Sequence, residues 1–250
     1  TNLLYVLPNS GFPQLPDFVE ISLTGERTDF NGEGSAYRPS NQKMYLFQCA
    51  DDNAAPCDLY EATVDFDTNT ATTVLVKAGV VPDDGIGAVE GAIFQTEPDG
   101  TEFLFAAIGE ADSGTTQGQL YKWDPNNGWA LEPGYPLDLS GDASFLTGLA
   151  YESATNTFYG AINYRGPLGA DPDKPDVLTV DLATGVTTFI GDVNAIIDAE
   201  GIAFGADGKM YMEDEADPDY ANLTWTDPYI LEVDFGSTPI FTTIPAANIT

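Results

Sequence analysis

Glu33, Glu90, Thr147 and Glu200 each stand directly before a glycine, and those glycines, Gly34, Gly91, Gly148 and Gly201, open four stretches of the same kind. Carboxylates that recur at one position of a repeat are brought together by whatever fold the repeat builds. Gathered on an axis they repel one another, which raises a pKa or recruits a hard cation, and an oxygen-only set suits calcium. The simpler account is that each Glu starts its own strand and faces water. A second acidic group, Glu213, Asp214, Glu215, Asp217 and Asp219, is dense enough for calcium. It lacks the spacing and the glycine of an EF-hand loop and reads as a solvated acidic loop. Asp171, Asp173 and Asp176, separated by prolines, form a stiffer counterpart.

Other chemistry is restricted by composition. The 250 residues include 40 Asp or Glu, 8 Lys or Arg and no His, a formal net charge of −32. Without His there is no Ser-His-Asp or Cys-His triad and no His-containing zinc site. Glu213 with Asp214, or Glu200 with a metal-activated water, has the groups for acid and base. Against hydrolysis stands the scarcity of cations to stabilise an anionic substrate or transition state. Nucleic-acid backbones and anionic membranes are repelled by such a charge, so the expected partners are cations and other proteins. Tyr121, Trp123, Trp129, Tyr135, Tyr151, Tyr164 and Trp225 have rings that could stack on sugars; those at alternating strand positions read as core between sheets, and Trp129 and Trp225, in turn or loop contexts, are the candidates for carbohydrate contact.

The elements that must position these residues are strands. The repeat glycines lie 57, 57 and 53 residues apart and introduce GSAYRPSNQKMYLF, GAIFQTEPDGTEFLFAAI, GLAYESATNTFYGAI and GIAFGADGKMYMED. Each is a short apolar strand, a polar turn and an aromatic-rich strand, which predicts a hairpin. Five further hairpins are expected between them: FVEISLTGERTDF, DLYEATVDFDTNTATTVLV, QLYKWDPNNGWALEP, DVLTVDLATGVTTFIG and YILEVDFGSTPIFTTI. Several reverse through Asp-x-x-Thr/Asn-Gly/Asn, residues that bond their own backbone or tolerate positive φ. The segment 193–200 has helical composition but is too short and uncapped to be more than a loop or one turn.

Four strands in a period of about 55 residues are what a propeller blade requires. The chain therefore predicts an all-β fold, one β-propeller domain over 1–250. Four blades run from Gly34 to Ile244. LLYVL, FVEISL and a short strand near Thr28–Phe30 supply three strands of a fifth, and Ala247–Thr250 closes the ring as its innermost strand. The alternative is six or more blades in a longer parent chain.

The pattern Leu-Tyr-x-x-Asp, a Thr-Gly turn, a Thr-rich strand, then Gly-x-Ala-Phe/Tyr and a Tyr-bearing strand resembles the blades of secreted bacterial and archaeal β-propeller repeat proteins. Over sixteen residues, EGIAFGADGKMYMEDE (Glu200 to Glu215) is similar to blades of calcium-dependent gluconolactonase-like and esterase-like phytase propellers. The second resemblance implies a metal-dependent hydrolase, but the Asn and Asp that such a metal set needs on further blades do not align.

Cys49 and Cys57 bracket a polar loop and are expected to pair, which places the chain in an oxidising compartment. The sequons at Asn222 and Asn248 point the same way. No apolar run is long enough to span a bilayer and no signal-like segment precedes Thr1, as expected of a mature or excised soluble segment. The expected function is that of a non-catalytic structural or adhesive module, extracellular or at the cell surface, assembled with other surface subunits or copies of itself. The rival functions are a calcium-dependent hydrolase and a carbohydrate-binding propeller.

Overall fold

The computed structural model describes residues 3–6, 19–28, 30, 34–51, 54–82, 88–109, 118–143, 145–162, 176–192, 199–204, 210–214, 229–234 and 240–244. These form strands and one short 3-10 turn, Pro125–Asn127. The first sheet holds β1 (Leu3–Val6), β2 (Val19–Gly25), β3 (Ser35–Arg38), β4 (Lys43–Asp51), β5 (Ala54–Asp65) and β6 (Thr70–Val81), in the order β1-β2-β6-β5-β4-β3. The second has β7 (Ala88–Thr96), β8 (Glu102–Gly109), β9 (Gln119–Asp124) and β10 (Ala130–Leu131), with β11 (Leu137–Asp138) also on β9. In the third, β12 (Ser140–Gly141) lies outside β16 (Val186–Asp192), followed inward by β15 (Asp176–Val180), β14 (Thr157–Ile162) and β13 (Gly148–Glu152). The fourth is β17 (Ala199–Phe204), β18 (Met210–Asp214), β19 (Tyr229–Asp234) and β20 (Ile240–Ile244).

Each sheet is a blade, and successive blades touch through their inner strands, β3 against β7, β7 against β13 and β13 against β17. The fold is that of a β-propeller. Glycine makes the close approach possible. The Gly34 amide donates to the Val89 carbonyl at 3.0 Å, and a Cβ on Gly34 would lie 2.2 Å from Val89 Cγ1. A Cβ on Gly91 would lie 2.7 Å from the Leu149 amide nitrogen. The repeat glycines thus bring the inner strands together at the axis.

The core lies between blades. Tyr45, Phe47 and Leu59 pack with Phe94, Leu104 and Trp123 between the first two blades, and Phe105, Leu120 and Leu149 with Phe158 and Leu178 between the next two. A smaller cluster, Ala150, Ala161 and Val177 with Ile202, Met210 and Met212, joins the last two. Strand β8 shows why EFLFAAIG has no polar alternation: all eight of its residues are buried, because alternate side chains enter the cores on its two sides.

The Asp-x-x-Thr/Asn turns form as expected. The Asp65 carboxylate accepts from the amides of Asp67 and Thr68 at 2.9 and 3.3 Å, and that of Asp181 accepts from the Ala183 amide and the Thr184 hydroxyl, both at 2.8 Å. The reversals end on Asn69 (φ 52°) and Gly185 (φ 73°). Asn69→Ala puts a Cβ into the left-handed region without the local bonding of Asn, so it should cost about 1 kcal/mol, whereas Asn69→Gly should cost nothing. Equal losses for both in urea titrations would refute this account.

The N-terminal strands need a correction. β1 and β2 pair antiparallel, as an outer hairpin of a further blade would, but no strand forms at Thr28 or Phe30. Instead of reversing, the chain runs on so that Ser22–Gly25 lie parallel to Thr70–Thr73 of β6. Gly25, at φ +100°, allows this, since a Cβ there would meet the Thr73 carbonyl oxygen at 2.4 Å. Among the described residues twenty strands are distributed over four sheets. Ala247–Thr250, the expected closing strand, lie outside the described residues. Ala199 and Glu200, read as loop or turn, begin β17.

Candidate functional site

Strand direction divides the propeller into two unlike sides. In the first three blades the first two strands and the last two are joined by tight turns on one side, such as 39–42, 97–101, 153–156 and 182–185. On the other side lie the starts of the inner strands, the ends of the second strands and the starts of the third. The register shows this: Ala88 faces Gly109 and Ile108 faces Gln119, while Ala199 faces Asp214 and Asp214 faces Tyr229. The connections 110–118, 163–175 and 215–228 therefore join strand ends on the side where the repeat glycines gather.

Of the residues singled out from the sequence, Glu90, Thr147, Glu200, Glu213 and Asp214 fall on that side. Glu90 sits at a β-bulge, because the register slips between Val89 and Gly91, and Glu200 sits at the same slip between Ala199 and Gly201. In the third blade the amides of both Thr147 and Gly148 lie against Ala161, with Thr147 N donating to its carbonyl at 2.8 Å and the hydroxyl reaching the same oxygen at 3.2 Å. A bulge adds one residue and re-aims its side chain. The equivalence read from the repeat is thus a backbone equivalence as well. Glu90 is 6% exposed and Thr147 is buried. Glu213 and Asp214 end β18 beside the Glu200 bulge.

Glu33, Glu215, Asp217, Asp219, Asn222, Trp225 and Asn248 lie outside the described residues, as does the side chain of Glu200. Among the described residues no three acidic or sulfur side chains come together in a way that would hold a metal. The Thr147 hydroxyl is directed to its own sheet.

Two assignments are settled. Cys49 and Cys57 face each other across β4 and β5 and form a disulfide. Trp129 is not available to a sugar. It is 8% exposed and lies in the core between the first two blades, its ring centroid 5.1 Å from Tyr45 and 6.4 Å from Phe94. A turn context in sequence suggested exposure, but the left-handed backbone at Gly128 and Trp129 (φ 62° at both) carries the ring back into the interior.

The opposite side holds what sequence reasoning missed. Glu102, at the start of β8, is buried and binds across to the β3–β4 turn of the first blade. Arg38 Nε donates to it at 2.6 Å, the Ser40 amide at 3.1 Å, and the Ser40 hydroxyl also donates. The Arg38 guanidinium lies over the Phe94 ring, 5.7 Å from its centroid. Burial pushes the Glu102 carboxyl up, but hydrogen bonds from Ser40 and Arg38 outweigh it and hold its pKa below the ordinary value. In sequence, Glu102 looks like any polar residue beside a hairpin turn.

The sequence matches no family model and no curated protein. Among solved structures the chain is similar in fold to hydrazine synthase of Kuenenia stuttgartiensis, with a TM-score of 0.50 and 11% identity over 85% of this chain and 53% of that one. It spans about half the length of that chain. Weaker similarity links it to a putative oxidoreductase (glucose dehydrogenase) of Thermus thermophilus, TM-score 0.47 and 16% identity over 80% and 84% of the two chains. The Dos1 propeller matches at TM-score 0.43 and 10% identity, over 78% of this chain and 43% of that one. These likenesses are of fold, and fold does not carry function.

Proposed function

We propose that the protein is a non-catalytic structural or adhesive module of an extracellular assembly, and that it meets its partners on the side where the inner strands begin. The observation that carries this reading is the sorting by topology: in the first three blades tight, self-bonded turns close one side, while the connections between second and third strands and the residues Glu90, Thr147 and Glu200 belong to the other. Binding residues concentrate on loops held by a rigid scaffold. Calcium is the proposed ion on this side, with Glu33, Glu90 and Glu200 as its carboxylates and Thr147 beside them. The disulfide, and the lack of any helix among the described residues long and apolar enough to cross a membrane, are consistent with secretion.

A calcium-dependent hydrolase is the second reading, favoured by one observation. Bulges cluster beside active sites, and two of them carry Glu at the same blade position. One experiment separates the two. Calorimetric titration with calcium should show a site that Glu90→Gln and Glu200→Gln each weaken at least tenfold, with no turnover of lactones or phosphomonoesters in the loaded protein. Metal-dependent turnover abolished by Glu200→Gln would establish the hydrolase, and absence of calcium binding would remove the ion from both.

A further inference from the structure

Two segments lie alike along the outer strand of a blade. Thr24-Gly25-Glu26-Arg27 docks on β6 and Ser140-Gly141-Asp142-Ala143 on β16, each running parallel to the strand it covers. Their rungs match one for one. The Glu26 amide donates to the Thr73 carbonyl at 3.0 Å and the Asp142 amide to the Thr187 carbonyl at 3.2 Å. Gly25 and Gly141 have φ of +100° and +97°, and a Cβ on either would lie 2.4 Å from that same carbonyl oxygen. Beyond the glycines the segments turn away, with the Arg27 and Ala143 amides donating to the threonine hydroxyls.

The next donor on the same edge is two residues further on, Leu75 in β6 and Phe189 in β16. A parallel ladder would bond it to a main-chain carbonyl. Here a side chain takes that place: Glu26 Oε2 accepts from the Leu75 amide at 2.7 Å, and Asp142 Oδ2 from the Phe189 amide at 2.8 Å. Glu and Asp differ by one methylene, yet both bring a carboxylate oxygen to the same rung. The strand at this rung is apolar and exposed, through Val74 and Leu75 in β6 and through Phe189 and Ile190 in β16. Such a stretch with its amide lacking an acceptor is a template for another strand.

We infer that Glu26 and Asp142 are edge guards: each carboxylate fills the rung at which the outer strand would pair with a strand of a second copy of this chain, and so keeps blades from joining edge to edge. The guards lie on the outer strands, apart from Glu90 and Glu200, and the inference is independent of the ion and the partner face proposed above. Both guards use one acceptor oxygen, so the bond and not the length of the side chain is what the two sites share.

The test is sedimentation velocity and amide hydrogen exchange on the whole chain, with a chelator present and in salt of about 0.5 M to screen the net charge of −32. Glu26→Ala and Asp142→Ala, singly and together, should form larger species at concentrations where the wild type keeps its own sedimentation coefficient. At low concentration the Leu75 or Phe189 amide should exchange roughly tenfold faster than in the wild type, and should slow again at high concentration as a second copy takes the rung. Glu26→Gln and Asp142→Asn keep an acceptor oxygen without the charge and should sediment as the wild type does. Protection of Phe105 and Ala106 in β8 reports that a variant folds, and the single variants test each guard if the double variant does not. Alanine variants that sediment as the wild type at every concentration would overturn the inference. So would glutamine and asparagine variants that associate as far as the alanine ones, since charge and not the filled rung would then hold the copies apart. Neither result bears on calcium binding by Glu90 and Glu200.

Discussion

Glu102→Ala is expected to lower the unfolding free energy by about 4 kcal/mol, more than any exposed charge substitution, because it strands a partly buried guanidinium. Arg38 loses its 2.6 Å partner, and the Ser40 amide and hydroxyl lose their acceptor at the same time. What remains for Arg38 is the Tyr45 side chain, a 3.4 Å contact with the Asn126 side chain and the face of Phe94. Glu102→Gln keeps shape and one acceptor, and should cost less. The paired replacement Arg38→Met with Glu102→Leu removes both charges and should recover most of the loss, since the desolvation of the ion pair goes with it.

The pH dependence follows from the depressed pKa of Glu102 in the folded state. Its contribution is fully present above the ordinary carboxylate range and disappears as pH falls through the lower folded value. Asp65, Asp99 and Asp181 act in the same sense. Asp65 is lowered first by the Thr68 side chain, Asp99 by the Thr101 amide and Asp181 by the Ala183 amide. Opposing this, mild acid relieves the self-repulsion of a chain with net charge −32. Stability should rise on leaving neutrality and then collapse once these bonded carboxylates take up protons. In urea titrations the gap between wild type and Glu102→Gln should be widest at pH 7 and close toward pH 2. A gap that does not change with pH would show that the loss is one of packing rather than charge.

The hairpins were legible because their signals are local. Alternation around Tyr229–Asp234, the Asp181 turn and the repeat glycines each act over a few residues, and eight of the nine expected hairpins form in place. Glu90 and Glu200 were found by repeat equivalence alone, and the bulges supply its physical content. What escaped the sequence is long-range. The parallel pairings of β2 with β6 and β12 with β16 join residues some forty-five positions apart, and β12 is two residues long, so no periodicity announces it. The segment 24–30 looked like a turn and a strand because Gly25 fits a turn equally well. Glu102 and Trp129 both lie beside turns, where exposure is the ordinary expectation, and both are buried by a neighbouring blade.

Those parallel pairings hang on two buried threonines, and Thr187→Val should cost about 3 kcal/mol although it changes no volume. Thr187 Oγ1 accepts from the Ala143 amide at 2.8 Å and lies 2.9 and 2.8 Å from the carbonyls of Ser140 and Ala143. Valine leaves the buried Ala143 N–H without an acceptor and removes the one hydroxyl proton that the two carbonyls share. The Asp142 carboxylate, which accepts from the Phe189 amide at 2.8 Å, and the backbone bonds of Ser140 and Asp142 to Gly185 and Thr187 would be left to hold the segment. Thr73 repeats the arrangement in the first blade. It is fully buried, accepts from the Arg27 amide at 3.0 Å and reaches the Thr24 carbonyl at the same distance, while Glu26 accepts from the Leu75 amide at 2.7 Å. The consequences of the two substitutions differ because of what each strap carries. Thr187→Val loosens a strap whose preceding residues are tied to β9, so hydrogen exchange should quicken at Ala143 while β9 stays protected. Thr73→Val releases a strap whose other neighbour among the described residues is β1, so exchange should quicken through β2 and β1 together. Thr→Ser retains the hydroxyl and should recover most of the loss at either position. If valine and serine cost the same, the contribution of these residues lies in the γ-methyl group and the strap is held by packing.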